Sequence, residues 1–158
     1  MRRRGISPVI ATVILVAVAI AVAIAVAFWM TGIVGLFTGF EELQITSAYA
    51  VASDNTFTIH LTVKNTGTSP ATVDNIIING QPFDDTFTVL YSSSTATTNS
   101  TLNPGNSFTI NPGETYHVYI QFSIGASWAG GKLDHGVSVE VKLHTAGGKE
   151  YPKLVVLP

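Results

Sequence analysis

The chain has 158 residues, 46% of them hydrophobic and only 11% charged, with a formal net charge of −2. That length holds one ordinary domain plus an appendage, and a soluble globular chain carries about 25% charged residues, so the deficit must be concentrated somewhere. There is no cysteine, which excludes disulfide staples, thiolate zinc sites and a cysteine nucleophile.

The deficit lies at the N-terminus. After Met1-Arg2-Arg3-Arg4-Gly5 no charged residue occurs between Ile6 and Phe40, and most positions are Ala, Val or Ile. A helix over that stretch would be ~52 Å long, against a bilayer core of ~30 Å. Ile6 to Ala27 alone would span ~33 Å, and Phe28 and Trp29 follow where an interfacial aromatic belt belongs. The arginines belong on the cytoplasmic side, which puts the C-terminal part outside. Alternating Ala17, Ala19, Ala21, Ala23, Ala25 and Ala27 mimic a strand period, but both parities are apolar and the run is too long for a strand. A helix apolar on every side sits in lipid or inside an assembly. Pro8 is tolerated in its first turn.

A plain membrane tether leaves one feature over. Met30 to Phe40 (MTGIVGLFTGF) stays apolar after the membrane has ended, and exposed apolar helix has no favourable partner in water. Packing of identical helices would cover it, with Ala17, Ala21, Ala25, Gly32, Gly35 and Gly39 permitting close approach; glycine there equally marks a helix exit. The competing assignment is a secretory signal peptide ending at Ala25-Val26-Ala27. Its apolar run exceeds the usual length, and cleavage would leave FWMTGIVGLFTGF as an apolar mature terminus.

Arg2-Arg3-Arg4-Gly5 followed by ISPVIATVILVAVAI resembles the N-terminal signature of archaeal type IV pilins, over roughly positions 2 to 30, about a fifth of the chain. The resemblance implies that residues 1–5 are a class III signal peptide, cut by a prepilin peptidase on the cytoplasmic side between Gly5 and Ile6. Arg2, Arg3 and Arg4 would be its recognition and topology element. Residues 6–40 would anchor the precursor in the membrane and then form the filament core, assembled by a pilus ATPase and platform. Bacterial relatives place a glutamate at the fifth mature position, here Ile10, so pairing of that carboxylate with the terminal amine does not carry over.

From Glu41-Glu42 onward the composition is that of a Thr- and Asn-rich β domain, and five lysines against ten acids leave −5, the wrong sign for a nucleic-acid ligand. Strands are expected at Leu43–Ala52, Thr56–Lys64, Ala71–Ile78, Thr86–Tyr91, Phe108–Ile110, Tyr116–Phe122, Val137–Leu143 and Tyr151–Leu157. The clearest alternation puts Phe57, Ile59, Leu61 and Val63 on one face. Turn signals separate the strands: Asp54-Asn55, Asn65-Thr66-Gly67, Asn79-Gly80, Asn103-Pro104-Gly105, Asn111-Pro112-Gly113 and Gly147-Gly148. Seven or eight short strands with one apolar face each predict two packed sheets. VKNTGTSPATVDNIIING also resembles the immunoglobulin-like sandwiches of archaeal pilins and surface proteins. The expected fold is therefore α+β: a long hydrophobic helix (6–40), then an immunoglobulin-like sandwich (41–158).

Chemistry is sparse. His60, His117 and His144 fall on non-core faces, His135 precedes a strand in a Gly-rich stretch, and no pair has metal-ligand spacing. Asp84-Asp85 reads as a solvated turn rather than a calcium loop. No nucleophile elbow, phosphate loop or HExxH motif is present, so no enzyme activity, cofactor or metal is expected. Tyr91–Leu102 reads as a flexible exposed loop, and Asn99-Ser100-Thr101 within it is the N-glycosylation sequon. The expectation is a structural subunit of an extracellular adhesion pilus, stored in the cytoplasmic membrane, with identical subunits as partners and candidate glycans outside. The alternatives are an archaellin-type motility filament, a membrane-anchored binding module, and a secreted enzyme with a cleaved leader.

Overall fold

The computed structural model describes residues 8–37 and 39–158. The chain divides into two compact units, one through Gly39 and one from Phe40 to Pro158. Among the described residues the first contains one apolar helix, α1 (Pro8–Phe37). Its 30 residues are mostly Ala, Val and Ile with no polar side, a run far too long for a strand, and a helix satisfies the backbone groups of such a run internally.

The second unit is a β-sandwich of antiparallel strands. Its strands are β1 (Leu43–Ser53), β2 (Thr56–Asn65), β3 (Ala71–Ile78), β4 (Gln81–Pro82), β5 (Thr88–Ser93), β6 (Ser100–Leu102), β7 (Phe108–Ile110), β8 (Thr115–Ser123), β9 (Ala126–Trp128), β10 (Gly131–Leu133), β11 (Ser138–Thr145) and β12 (Glu150–Val156). One sheet runs β1-β2-β8-β5-β6 and the other β12-β11-β3-β4, with β7 also paired to β3; β9 and β10 form a separate two-stranded ribbon. The core lies between the sheets. Phe57, Ile59, Leu61, Val63, Val118, Ile120 and Val89 on one inner face meet Ala71, Val73, Ile76, Ile78, Val139, Val141 and Leu143 on the other, all of them buried. They are the apolar halves of alternating strands, with one break in β3 between Val73 and Ile76, so forming the sheets and burying the core are one event.

The eight expected strands are present, with ends shifted by up to two residues. Four more, β4, β6, β9 and β10, have only two or three residues, too few for a period to show. One expectation needs correction: Tyr91–Leu102 is not a single loop. Tyr91 pairs with Ser100, Leu90 with Thr101 and Val89 with Leu102, which leaves residues 94–99 outside the strands. A run of Ser and Thr scores as loop by composition, yet Thr suits a pleated half-buried strand.

Two tight turns follow from their residue types. Asp54-Asn55 (φ 47° and 67°) joins β1 to β2, and Asn79-Gly80 (φ 48° and 81°) joins β3 to β4. Both central residues have positive φ, the two-residue hairpin geometry whose twist matches the strands, and Asp, Asn and Gly tolerate it best.

Candidate assembly surface and sandwich anchor

The helix α1 is the first candidate site. From Val9 to Met30 every large apolar side chain is between 51 and 76% exposed. Its hydroxyls are internally satisfied: Thr12 Oγ1 donates to the Val9 carbonyl at 2.9 Å and Thr31 Oγ1 to the Ala27 carbonyl at 2.7 Å. These back-bonds cancel the penalty of bringing a hydroxyl into an apolar environment. The surface is thus apolar in effect as well as in composition. Ala17, Ala21 and Ala25, four residues apart, form one exposed stripe. Gly32 is exposed in the same helix, Gly35 lies within it, and Gly39 lies beyond its last residue, Phe37. Gly39 is therefore not part of the helical surface expected for packing. Arg2, Arg3, Arg4, Gly5 and Ile6 lie outside the described residues.

The second candidate is a clasp on Phe40–Glu42, where the chain enters the sandwich. The Phe40 carbonyl accepts from Thr68 N (2.9 Å) and Ser69 N (3.0 Å), and the Glu42 carbonyl from Thr66 N (2.8 Å). Thr145 Oγ1 donates to Glu41 Oε1 at 2.6 Å, and Lys149 Nζ donates to the Glu41 carbonyl at 2.6 Å while lying 3.6 Å from Glu42 Oε2. Two close approaches permit this. A Cβ on Gly67 would stand 2.5 Å from the Phe40 carbonyl oxygen and 2.6 Å from Glu42 N, and one on Gly147 would meet the Glu41 carboxyl carbon at 2.8 Å. The turn signals at Asn65-Thr66-Gly67 and Gly147-Gly148 are visible in the sequence; that both grip the segment Phe40–Glu42 is not.

The remaining polar residues are dispersed. His60 stacks on Tyr49 (centroids 4.8 Å apart) and meets Tyr119 edge-on (4.9 Å), and burial lowers its pKa below the ordinary 6.5. His117 Nδ1 is 3.3 Å from Thr62 Oγ1, His144 Nδ1 is 2.6 Å from Asp74 Oδ1, and His135 Nδ1 meets the Pro158 carbonyl. Among the described residues no three His, Cys, Asp or Glu side chains come together as a metal-ligand group. Asp84 Oδ1 accepts from Thr86 N at 2.8 Å, closing a turn, and hydrogen bonds from Thr86 lower the carboxyl's pKa. Asn99 is exposed in the segment leading into β6, an edge strand. Tyr151 Oη is buried beside the Leu43 backbone, and burial raises its pKa more than that backbone contact lowers it.

No family model matches the chain, and no curated protein matches it. Among solved structures it is similar to the Iho670 flagellar-like filament (15% identity, 96% of this chain and 98% of that one, TM-score 0.38). It is also similar to the archaeal flagellum of Methanospirillum hungatei strain JF1 (17% identity, 94% and 88% covered, TM-score 0.42). The apo PCuAC domain from PmoF1 is similar over 75% of this chain and 98% of its own (13% identity, TM-score 0.41). Likenesses of this strength leave the function to be argued from the chain's own residues.

Proposed function

We propose that the chain is a non-enzymatic structural subunit of an archaeal type IV adhesion pilus, polymerising through α1 and displaying the sandwich outside the cell. One observation carries the reading: a 30-residue helix whose large apolar side chains are exposed from Val9 to Met30, with no polar side. At 1.5 Å per residue it is ~45 Å long, so about a third of it outruns a ~30 Å bilayer core. In the precursor, lipid covers most of α1. In the filament identical helices cover all of it, and the Ala17, Ala21, Ala25 stripe with Gly32 and Gly35 lets backbones approach closely. Each Val or Ile that stays buried keeps about 1.5–3 kcal/mol relative to water.

On this reading a prepilin peptidase cuts between Gly5 and Ile6 after recognising Arg2, Arg3 and Arg4. An assembly ATPase and its platform then draw the helix out of the cytoplasmic membrane. Asn99 carries a glycan on the exterior. The same geometry serves a motility filament, and a deletion strain separates the two: loss of swimming identifies an archaellin, loss of attachment a pilus.

The test is surface material sheared from cells expressing either the chain or its Ala21→Arg variant, examined by electron microscopy and by mass spectrometry of the terminal and Asn99 peptides. Filaments with a terminus at Ile6, absent from the variant although its sandwich folds, are expected. A terminus near Phe28 would make this a secreted sandwich. Intact Met1 in membranes, monomeric in detergent, would make it an anchored binding module.

A further inference from the structure

An open cleft of about 660 Å³ lies between the β9–β10 ribbon and the β4–β5 connection. That volume falls within the ~300–1,000 Å³ of small-molecule sites. Its lining includes Gln81, Asp84, Thr86, Ser127, Trp128 and Lys132. Trp128 is held from behind: Nε1 donates to the Ile78 carbonyl at 2.7 Å, and the ring meets buried Phe87 edge-on with centroids 4.7 Å apart. The indole is therefore a rigid wall whose own donor is already used.

The ribbon turn beside it is strained. Among the described residues four non-glycine residues have positive φ; three are Asp54, Asn55 and Asn79, and the fourth is Ala129 (φ 48°). Alanine has no side-chain hydrogen bond to offset that conformation, which costs on the order of 1 kcal/mol. It is the smallest side chain that can stand there with a Cβ, and it borders the cleft directly beside Trp128. The two-residue Ala129-Gly130 turn of the ribbon imposes that φ.

The lining selects a ligand class by elimination. Among the described residues Asp84 and Lys132 are its only ionisable ones and their charges cancel, so neither a polyanion nor a cation is favoured. Among the described residues the wall has no large apolar side chain apart from the indole and the Ala129 methyl, which leaves nothing there to anchor a lipid or an aliphatic peptide side chain. A carboxylate, an amide, two hydroxyls and an ammonium around one aromatic ring suit a molecule with a CH-rich face and a rim of hydroxyls. We propose that this cleft binds a neutral pyranose saccharide, its apolar face against Trp128 and its hydroxyls on Gln81, Asp84 and Lys132. The site belongs to the sandwich alone, so it stands or falls independently of assembly through α1.

The experiment uses the full chain in a phosphocholine detergent, because maltoside and glucoside detergents are themselves sugars. A Trp29→Phe background leaves Trp128 as the only indole. Methyl β-D-galactopyranoside, methyl α-D-mannopyranoside and N-acetyl-D-glucosamine are titrated separately against indole emission and saturation-transfer NMR, with inorganic phosphate as the charged control. Trp128 also seats the ribbon, so the discriminating variants are Gln81→Ala and Lys132→Ala, whose side chains make no hydrogen bond or ion pair among the described residues. At least one pyranoside is expected to bind saturably in the millimolar range, weakened about tenfold in the double variant. Absence of binding by all three, unchanged affinity in the double variant, or equal binding of phosphate would each overturn the proposal.

Discussion

Asn65 ends β2 with its side chain fully buried and every polar atom used. Its Nδ2 donates to the Ser69 carbonyl (2.9 Å) and the Ile110 carbonyl (2.8 Å), and its Oδ1 accepts from Gly67 N (2.9 Å). One amide thus shapes the β2–β3 loop and ties it to β7. Asn65→Ala strands those partners in the interior, and each unmet buried group costs about 1–3 kcal/mol. A loss of about 2–3 kcal/mol in urea unfolding is expected, well above that of an exposed Asn106→Ala control. His60 acts through protonation instead. Burial depresses its folded pKa below the 6.5 of the free group, so the unfolded chain takes up a proton first as pH falls. Its contribution is full above pH 6.5 and is lost as pH falls through the folded value, the opposite of a histidine gaining an acidic partner. Unfolding midpoints measured downward from pH 6.5 should fall less steeply in His60→Gln than in the parent; identical slopes would show that the Tyr49–His60–Tyr119 cluster does not discriminate against the charged ring.

At the scale of elements, the clasp on Phe40–Glu42 and the bulges in β1 and β3 set what each strand presents. The β1–β2 register slips between Ile45 and Ser47, so Ile45, Ala48 and Ala50 pack on the core while Tyr49 and Val51 face outward. Thr46, the extra residue, donates from Oγ1 to the Thr62 carbonyl at 3.2 Å. The β3–β11 pairing slips between His144 and Thr145, and Val73 and Ile76 are both buried although three residues apart. The clasp's two glycines make a graded prediction. A Cβ at position 67 strikes backbone atoms that cannot move without unseating the chain, whereas one at 147 strikes the end of the Glu41 side chain, which can swing away. Gly67→Ala is expected to cost about 1–3 kcal/mol, as overpacking does. Gly147→Ala should cost less, limited to the displaced Thr145–Glu41 hydrogen bond. Equal losses in urea unfolding would mean that Phe40–Glu42 is not held by its backbone.

At the scale of the whole molecule the two units differ in where their apolar surface lies: the sandwich buries its own core, whereas α1 leaves its apolar side chains exposed. On the proposed function, lipid and then copies of the same helix cover them. That contrast gives the Ala21→Arg variant its discriminating power. One arginine near mid-helix costs about 2.5–3.5 kcal/mol on insertion scales, a penalty a long apolar helix absorbs by letting the charge reach toward the interface. In a bundle of identical helices every subunit carries the same charge, with like charges as neighbours and no water to reach. An unpaired buried ion then costs several kcal/mol per subunit. The variant should therefore insert and fold its sandwich yet fail to polymerise.

The sequence by itself determined α1, because an uncharged apolar stretch of that length, with both parities apolar, is too long and too uniform for a strand. It equally determined β2, β8 and β11, whose strict alternation is a local property of the chain. Only the tertiary structure decided which face Tyr49 takes, since a bulge depends on the partner strand and reverses every side chain beyond it. The short strands β4, β6, β9 and β10 exist only because a neighbour pairs with them. The clasp joins Glu41 to Thr145, more than a hundred residues apart, and the cleft brings Gln81 and Asp84 to Trp128 and Lys132. No spacing or composition signals either, because each is made by sheet order, and sheet order follows from burying the whole core at once.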